Sequence, residues 1–188
     1  MKLHVKQYFA LKASLPYLKF GEKPLLSRER FLEYCEAFLG DSELSFLKKL
    51  SLAAPEKIPE GDSCEAAFLR FETALRNALA SMRAKAKGVK GDRFLHREDD
   101  GSSSLNAESV IVLLQNAPHP LERERLLGKA RWDALEELEF AHYADLDALG
   151  IYCRKLLILE KWERYRADKA DKDLEETVSA VEGTAWNF

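Results

Sequence analysis

The sequence has few cysteines and no long hydrophobic run, and each shortage excludes a class of protein. Three cysteines, Cys35, Cys64 and Cys153, lie far apart within helical patterns, which favours buried thiols in a reducing compartment over disulfides or zinc ligands. No stretch approaches the roughly eighteen apolar residues of a membrane span, and Lys6 and Lys12 interrupt the apolar N-terminal residues that a signal peptide requires. The sequence therefore predicts a cytoplasmic protein.

Length and charge are those of an ordinary globular protein. The chain has 188 residues, of which 46% are hydrophobic and 32% charged, with a formal net charge of −3. This charge balance does not indicate any particular class of partner. The length predicts a single helical domain over residues 1–188. Residues 88–104, "GVKGDRFLHREDDGSSS", contain glycines, serines and charges without any period, which predicts a flexible loop.

Apolar residues recur at steps of three and four through most of the chain, which predicts an all-α bundle of about six or seven helices. Ser27 is placed to cap the helix in "RERFLEYCEAFL", Gly40 to end it and Asp41 to begin the next helix. Residues 5–15 fit both the alternation of a strand and the spacing of a helix, so their structure stays open at this point.

The later helices are predicted from similar signals. A long helix follows "APEKIPEG", with Asp62 and Glu65 at capping-box spacing, and ends near Gly88. The short apolar run "VIVLLQNA" predicts a helix, another helix follows Pro120, and Asp145 begins the last one.

The spacing of residues yields no nucleophile with its base, no phosphate-binding glycine loop and no cofactor motif, so we predict a protein that is not an enzyme. The alternative is a metal-dependent helical enzyme that uses Glu139, His142 and Asp145. These residues stand at three-residue steps and resemble half of a carboxylate and histidine site. A second Glu-x-x-His is missing from the sequence, and a helix start capped by Asp145 explains the same residues without a metal.

A basic run across positions 83 to 97 suggests a second alternative, a nucleic-acid-binding module. Its members are Arg83, Lys85, Lys87, Lys90, Arg93 and Arg97. Positive charge is favourable at a helix C-terminus, which explains the run as a solvated or protein-binding surface. Phe94 is the one aromatic residue within the run and the whole chain is acidic, so we predict no nucleic-acid partner.

Two adjacent cations, Arg154 and Lys155, stand inside the most apolar helical stretch of the chain. Successive residues lie about 100° apart around a helix, so both side chains cannot hide on one narrow face. An unpaired buried charge is very costly, and we therefore expect a salt bridge to Glu36, Glu139 or Asp147. Docking to an acidic partner is the functional alternative.

The segment "SLPYLKFGEKPLLS", residues 14–27, is too broken by proline and glycine to be a helix, yet it carries large apolar side chains. These side chains either pack over the core or bind another protein; they are Leu15, Tyr17, Leu18 and Phe20. The residues alone do not separate these outcomes.

Longer motifs resemble a small bacterial family encoded among V/A-type ATPase subunits. They are "ASLPYLKFGEKPLLS", "LRNALASMRAKAKG" and "HPLERERLLGKARWDALEE", the last followed by "HYADLDALGIYCRKLLILEKWERY". The pattern Lys-Leu-x-Ile-Leu-x-x-Trp is met by Lys155, Leu156, Ile158, Leu159 and Trp162. Lys161 stands where the pattern leads us to expect an Arg, and Ala144 where we expect an aromatic residue.

Members of this family resemble, remotely, the all-helical ATPase C subunit that seats the rotor shaft on the membrane ring. The resemblance implies a non-catalytic accessory or central-stalk subunit without cofactors, whose partners are V/A-type ATPase stalk or ring subunits. It implies a location in the cytoplasm or at the inner face of the membrane, with membrane contact only through partner subunits. The interface residues that we predict are Tyr17, Leu18, Phe20, Arg154 and Lys155.

Overall fold

A computed structural model describes residues 2–53, 57–61, 63–95, 108–140 and 142–184. Within these ranges it contains seven α-helices and no β-strand, which confirms the all-α prediction. The helices are α1 Lys2–Ser14, α2 Arg28–Glu36, α3 Asp41–Lys49, α4 Cys64–Ala86, α5 Glu108–Gln115, α6 Pro120–Glu139 and α7 Leu146–Thr184. A short 3₁₀ turn over Asp92–Phe94 follows α4. Residues 96–104 of the predicted loop lie outside the described residues.

Side-chain caps fix two of the predicted helix starts. The Ser27 hydroxyl accepts a hydrogen bond from the Arg30 backbone N–H at 3.2 Å, and Asp145 Oδ1 accepts one from the Ala148 N–H at 2.8 Å. Each cap satisfies a backbone donor that the first helical turn leaves unpaired. The predicted starts of α2 and α7 are therefore confirmed.

The local predictions failed at two other helix boundaries. Gly40 does not end α2 in a left-handed conformation, because its φ is −76° and it is the N-cap of α3, where its N–H donates to Glu43 Oε2 at 2.9 Å. Helix α4 is capped by Ser63, whose hydroxyl accepts from the Ala66 N–H at 3.2 Å, while Asp62 lies outside the described residues.

The open question at residues 5–15 is answered by α1, which runs through Ser14. Leu11 on this helix is fully buried. The helical spacing therefore prevails over the strand-like alternation, since one face of α1 must supply an apolar contact to the core.

Helix α7 is the centre of the bundle and is in contact with α2, α3, α4 and α6. Its first four turns are apolar on nearly every side, and Leu149, Leu156 and Leu159 are fully or almost fully buried. Helix α6 also packs on α4, and α5 lies against both α4 and α6. Among the described residues, no helix combines the length and the apolar character needed to cross a membrane.

Candidate protein-docking site

A cavity of about 250 Å³ opens between α1, the segment that follows it, the end of α6 and α7. We call it the aromatic groove and define it by Phe9, Lys12, Tyr17, Glu139, Tyr143 and Lys155, all of which line the cavity. The groove thus combines residues from the opening segment with residues more than a hundred positions later in the chain.

Three aromatic rings form the exposed side of the groove. Tyr17 is 87% exposed, Tyr143 is 76% exposed and Phe9 is about half exposed. The Phe9 and Tyr143 ring centroids lie 6.2 Å apart with a tilted arrangement. Exposed aromatic side chains next to a concavity are typical of protein interfaces, because they bury a large area with few rotatable bonds.

A shared carboxylate forms the charged floor of the groove. Glu139 accepts hydrogen bonds from Lys12 Nζ at 2.7 Å and from Lys155 Nζ at 2.5 Å. Burial alone would raise the pKa of Glu139, but the two ammonium donors outweigh it and lower that pKa below its ordinary value. Two cations on one carboxylate leave the floor with a formal charge of +1.

The segment that carries Tyr17 is fixed by contacts with the helices beneath it and with the core. The Tyr152 hydroxyl donates to the Pro16 carbonyl at 2.9 Å. Leu18 is buried in the core, and Phe20 packs edge-on against Trp132 with ring centroids 5.7 Å apart. The apolar residues of this segment therefore divide: Leu18 and Phe20 cover the core, while Tyr17 projects into solvent.

Arg154 is an interior residue. It is 3% exposed, donates to both carboxylate oxygens of Glu65 at 2.5 and 2.6 Å, and also donates to the Ser51 carbonyl at 2.7 Å. Its guanidinium carbon lies 4.4 Å from the centre of the Phe68 ring. These contacts satisfy the charge of Arg154 within the fold, and its place among the predicted interface residues stays a prediction.

Lys155 is buried too, but its ammonium reaches the groove floor, as the expected pairing with Glu139 requires. Its Nζ also lies 5.1 Å from the centre of the Trp132 ring. Lys155 therefore acts on the groove through Glu139, whereas Arg154 does not line the cavity.

The three residues of the alternative metal site are not brought together on one helix. Helix α6 ends at Glu139 and α7 begins at Leu146, so the continuous face assumed for Glu139, His142 and Asp145 does not exist. Glu139 is held by the two lysines of the groove. His142 Nδ1 instead contacts Asp145 Oδ2 at 2.7 Å, close to two other residues that are described below.

The described part of the basic run lies apart from the groove, at the end of α4 and beyond it. Arg83, Lys85, Lys87, Lys90 and Arg93 are all exposed there. The Arg93 guanidinium carbon lies 4.7 Å from the centre of the Phe94 ring, and Arg97 lies outside the described residues. This arrangement fits a solvated helix end.

Sequence reasoning missed a buried charge cluster between α4 and α6. Arg131 Nε and Nη2 each donate to a Glu72 carboxylate oxygen at 2.8 Å, and Arg76 Nε donates to Glu72 Oε1 at 2.7 Å. Helical spacing places Glu72 and Arg76 on one face, but nothing in the sequence indicates that Arg131, 59 positions later, completes the cluster.

Comparisons of the chain with known protein families, with curated proteins and with solved structures found no match. No role is therefore transferred to the groove from a known protein.

Proposed function

We propose that this chain is a non-catalytic accessory or central-stalk subunit, similar to the C subunit, of a bacterial V/A-type ATPase. In this proposal the aromatic groove is the surface that binds another subunit of the stalk or the membrane ring. The observation that carries the proposal is the presence of three exposed aromatic rings around a cavity whose floor has a net positive charge. The sequence motifs indicate which assembly the chain belongs to, and the groove is the proposed contact surface for another subunit.

Exposure of the rings is the first support. A large ring in water gains free energy when a partner covers it, and aromatic side chains often dominate the binding energy of an interface. Tyr17 is followed by a buried leucine and preceded by a proline whose carbonyl is hydrogen-bonded, so its backbone is already ordered. An ordered anchor loses less conformational entropy on binding than a mobile one.

The charge of the floor specifies the chemistry of the partner segment. Lys12 and Lys155 share one carboxylate, so one positive charge faces the cavity without full compensation. A partner segment with apolar side chains and one or more Asp or Glu residues would satisfy both the rings and this charge. We therefore expect an acidic, partly apolar segment of a stalk or ring subunit in the groove.

The test is co-expression of the chain with the V/A-type ATPase stalk and ring subunits of the same bacterium, followed by affinity capture and a binding titration with the captured subunit. Tyr17→Ala should weaken that binding at least about tenfold, because it removes a central aromatic anchor. It should leave the unfolding midpoint unchanged, since the side chain is 87% exposed. Phe20 is not used in this test because its ring packs into the core.

Leu25→Ala is the matched control. Leu25 lies in the same connecting segment and is 88% exposed, but it does not line the groove. The proposal requires the Leu25 variant to bind like the wild type. Capture of no ATPase subunit, or equal weakening by both substitutions, would contradict it.

A further inference from the structure

Three potential metal ligands from distant parts of the sequence meet beside the start of α4. Cys64 is the first residue of α4, His142 lies in the connection between α6 and α7, and Asp147 is in the first turn of α7. The Cys64 sulfur, a His142 ring nitrogen and an Asp147 carboxylate oxygen all lie within 4.8 Å of one another. We call these three residues the CHD cluster.

The donor set of the CHD cluster matches zinc. Zinc accepts thiolate, imidazole and carboxylate ligands in a tetrahedral arrangement, whereas magnesium and calcium prefer oxygen ligands alone. With bonds of about 2.3 Å to sulfur and about 2.0 Å to nitrogen, the ligand atoms of a tetrahedral site lie roughly 3.5 Å apart. The three atoms of the CHD cluster lie within 4.8 Å of one another, so zinc would have to draw them closer together to reach that spacing.

A further carboxylate already orients the imidazole. Asp145 Oδ2 lies 2.7 Å from His142 Nδ1, and its other oxygen caps α7 through the Ala148 N–H. A carboxylate on the second ring nitrogen is the usual support of a zinc-bound histidine, because it fixes the ring and increases its basicity. Asp145 would give His142 this contact with Nε2 as the zinc ligand, while Nδ1 itself lies 3.8 Å from Asp147 Oδ2.

The carboxylates of Asp147 and Asp145 place negative charge beside the Cys64 sulfur. Burial and, to a smaller extent, the nearby carboxylates of Asp147 and Asp145 together raise the pKa of the Cys64 thiol to about 11. Burial also raises the pKa of Asp147, against the opposing effect of His142. A divalent cation at this point would stabilise both anions together.

We propose that the CHD cluster binds one zinc ion, with water in the fourth position, and so ties the start of α4 to the connection between α6 and α7. Binding breaks the Cys64 S–H bond, forms a zinc–sulfur bond and releases the proton to solvent without oxidation or reduction. Cys64 is buried, but His142 and Asp147 are about one-quarter to one-third exposed, which leaves a path for the ion and the water. This site is separate from the proposed docking function and can fail independently of it.

The test uses the full chain without an affinity tag, stripped with chelator and titrated with zinc or cobalt. One equivalent of zinc should bind and raise the melting temperature, since the ion binds the folded state. Cobalt should give tetrahedral visible bands together with a thiolate-to-cobalt charge-transfer band. Cys64→Ser should abolish the charge-transfer band, and both Cys64→Ser and Asp147→Asn should weaken zinc binding at least about tenfold.

Cys35→Ala is the control, because Cys35 is a buried free cysteine that is not a member of the CHD cluster. It should keep the zinc affinity and the cobalt spectrum of the wild type. His142→Gln provides a second variant, and circular dichroism without metal reports whether each variant is folded. Absence of zinc binding, or wild-type affinity in the folded CHD variants, would overturn the proposal.

Discussion

Two carboxylates in this bundle each hold two cations, but they face different surroundings. Glu72 is 1% exposed and is enclosed by Arg131 and Arg76 between α4 and α6. The Glu139 side chain is 30% exposed and holds Lys12 and Lys155 at the floor of the aromatic groove. The same charge pattern therefore occurs once as an interior cluster and once at the edge of a cavity.

The choice of cation explains the difference. A guanidinium presents a planar fork that grips a carboxylate through two hydrogen bonds, as Arg131 does at 2.8 Å to each Glu72 oxygen. An ammonium is a compact point charge, and Lys12 and Lys155 each donate to one oxygen of Glu139. The surplus charge of the Glu72 cluster reaches the surface through Arg76, whereas the surplus charge at Glu139 faces the groove. We infer that the first cluster stabilises the fold and the second can also recruit a partner.

The largest predicted effect comes from breaking the interior cluster with Glu72→Gln. The substitution keeps the shape of the side chain but leaves Arg131 as a buried charge without its counter-ion. Loss of one partner of a buried ion pair costs about 3–5 kcal/mol, so the free energy of unfolding should fall by about that amount. Urea denaturation followed by circular dichroism measures the change.

Glu122→Gln is the control for Glu72→Gln. Glu122 forms a similar two-bond pair with Arg125, at 2.7 and 2.9 Å, but this pair lies on the surface of α6. The control should leave the urea midpoint unchanged, because water and salt screen an exposed pair. A small effect from Glu72→Gln would mean that the interior cluster does not stabilise the fold more than a surface pair.

An intermediate effect is expected from Glu139→Gln at the groove floor. The change removes the partner of two half-buried or buried lysines, but water reaches the site, so we expect a loss of about 1–2 kcal/mol. The partner subunit should also bind more tightly, since the floor becomes more positive. Weaker binding by a folded Glu139→Gln variant would contradict the charge argument.

The pH dependence of this effect follows from the lowered pKa of Glu139. Its folded-state pKa lies below the ordinary value of 4.5, so its contribution to stability is complete above pH 4.5. The contribution is lost as the pH falls through the lower, folded-state pKa. The stability difference between the wild type and Glu139→Gln should therefore be constant near neutral pH and shrink in acid, as urea titrations at several pH values would show.

The sequence was sufficient for features that are decided within a few residues. Ser27 and Asp145 cap helices as predicted, because a side-chain oxygen two or three positions before a backbone N–H is a local pattern. The all-α architecture follows in the same way from helical periodicity. Gly40 shows the limit of such reasoning, since a glycine between two helices can end the first or begin the second.

The candidate site could be predicted only in part because its geometry depends on long-range contacts. Tyr17 and Phe20 are three positions apart, yet one is exposed and the other packs on Trp132, which depends on the path of the chain over α6. The Glu65 partner of Arg154 is 89 positions away, and the CHD cluster joins α4 to the start of α7. Spacing in the sequence carries no signal for such contacts.

Of the substitutions in the Glu72 and Glu139 clusters, Lys12→Met should have the smallest effect on stability, and it gives the sharpest test of the groove charge. Glu139 keeps Lys155 as a partner and the methionine retains the apolar part of the side chain, so the free energy of unfolding should change by less than about 1 kcal/mol. The floor loses its surplus positive charge, and binding of the acidic partner segment should weaken several-fold at low salt. Lys48→Met is the control, because it removes the same charge from an exposed pair with Glu36. Equal weakening of binding by Lys12→Met and Lys48→Met would mean that net charge, and not the groove, causes the effect. Glu72 and Glu139 would then differ only in how much they stabilise the fold.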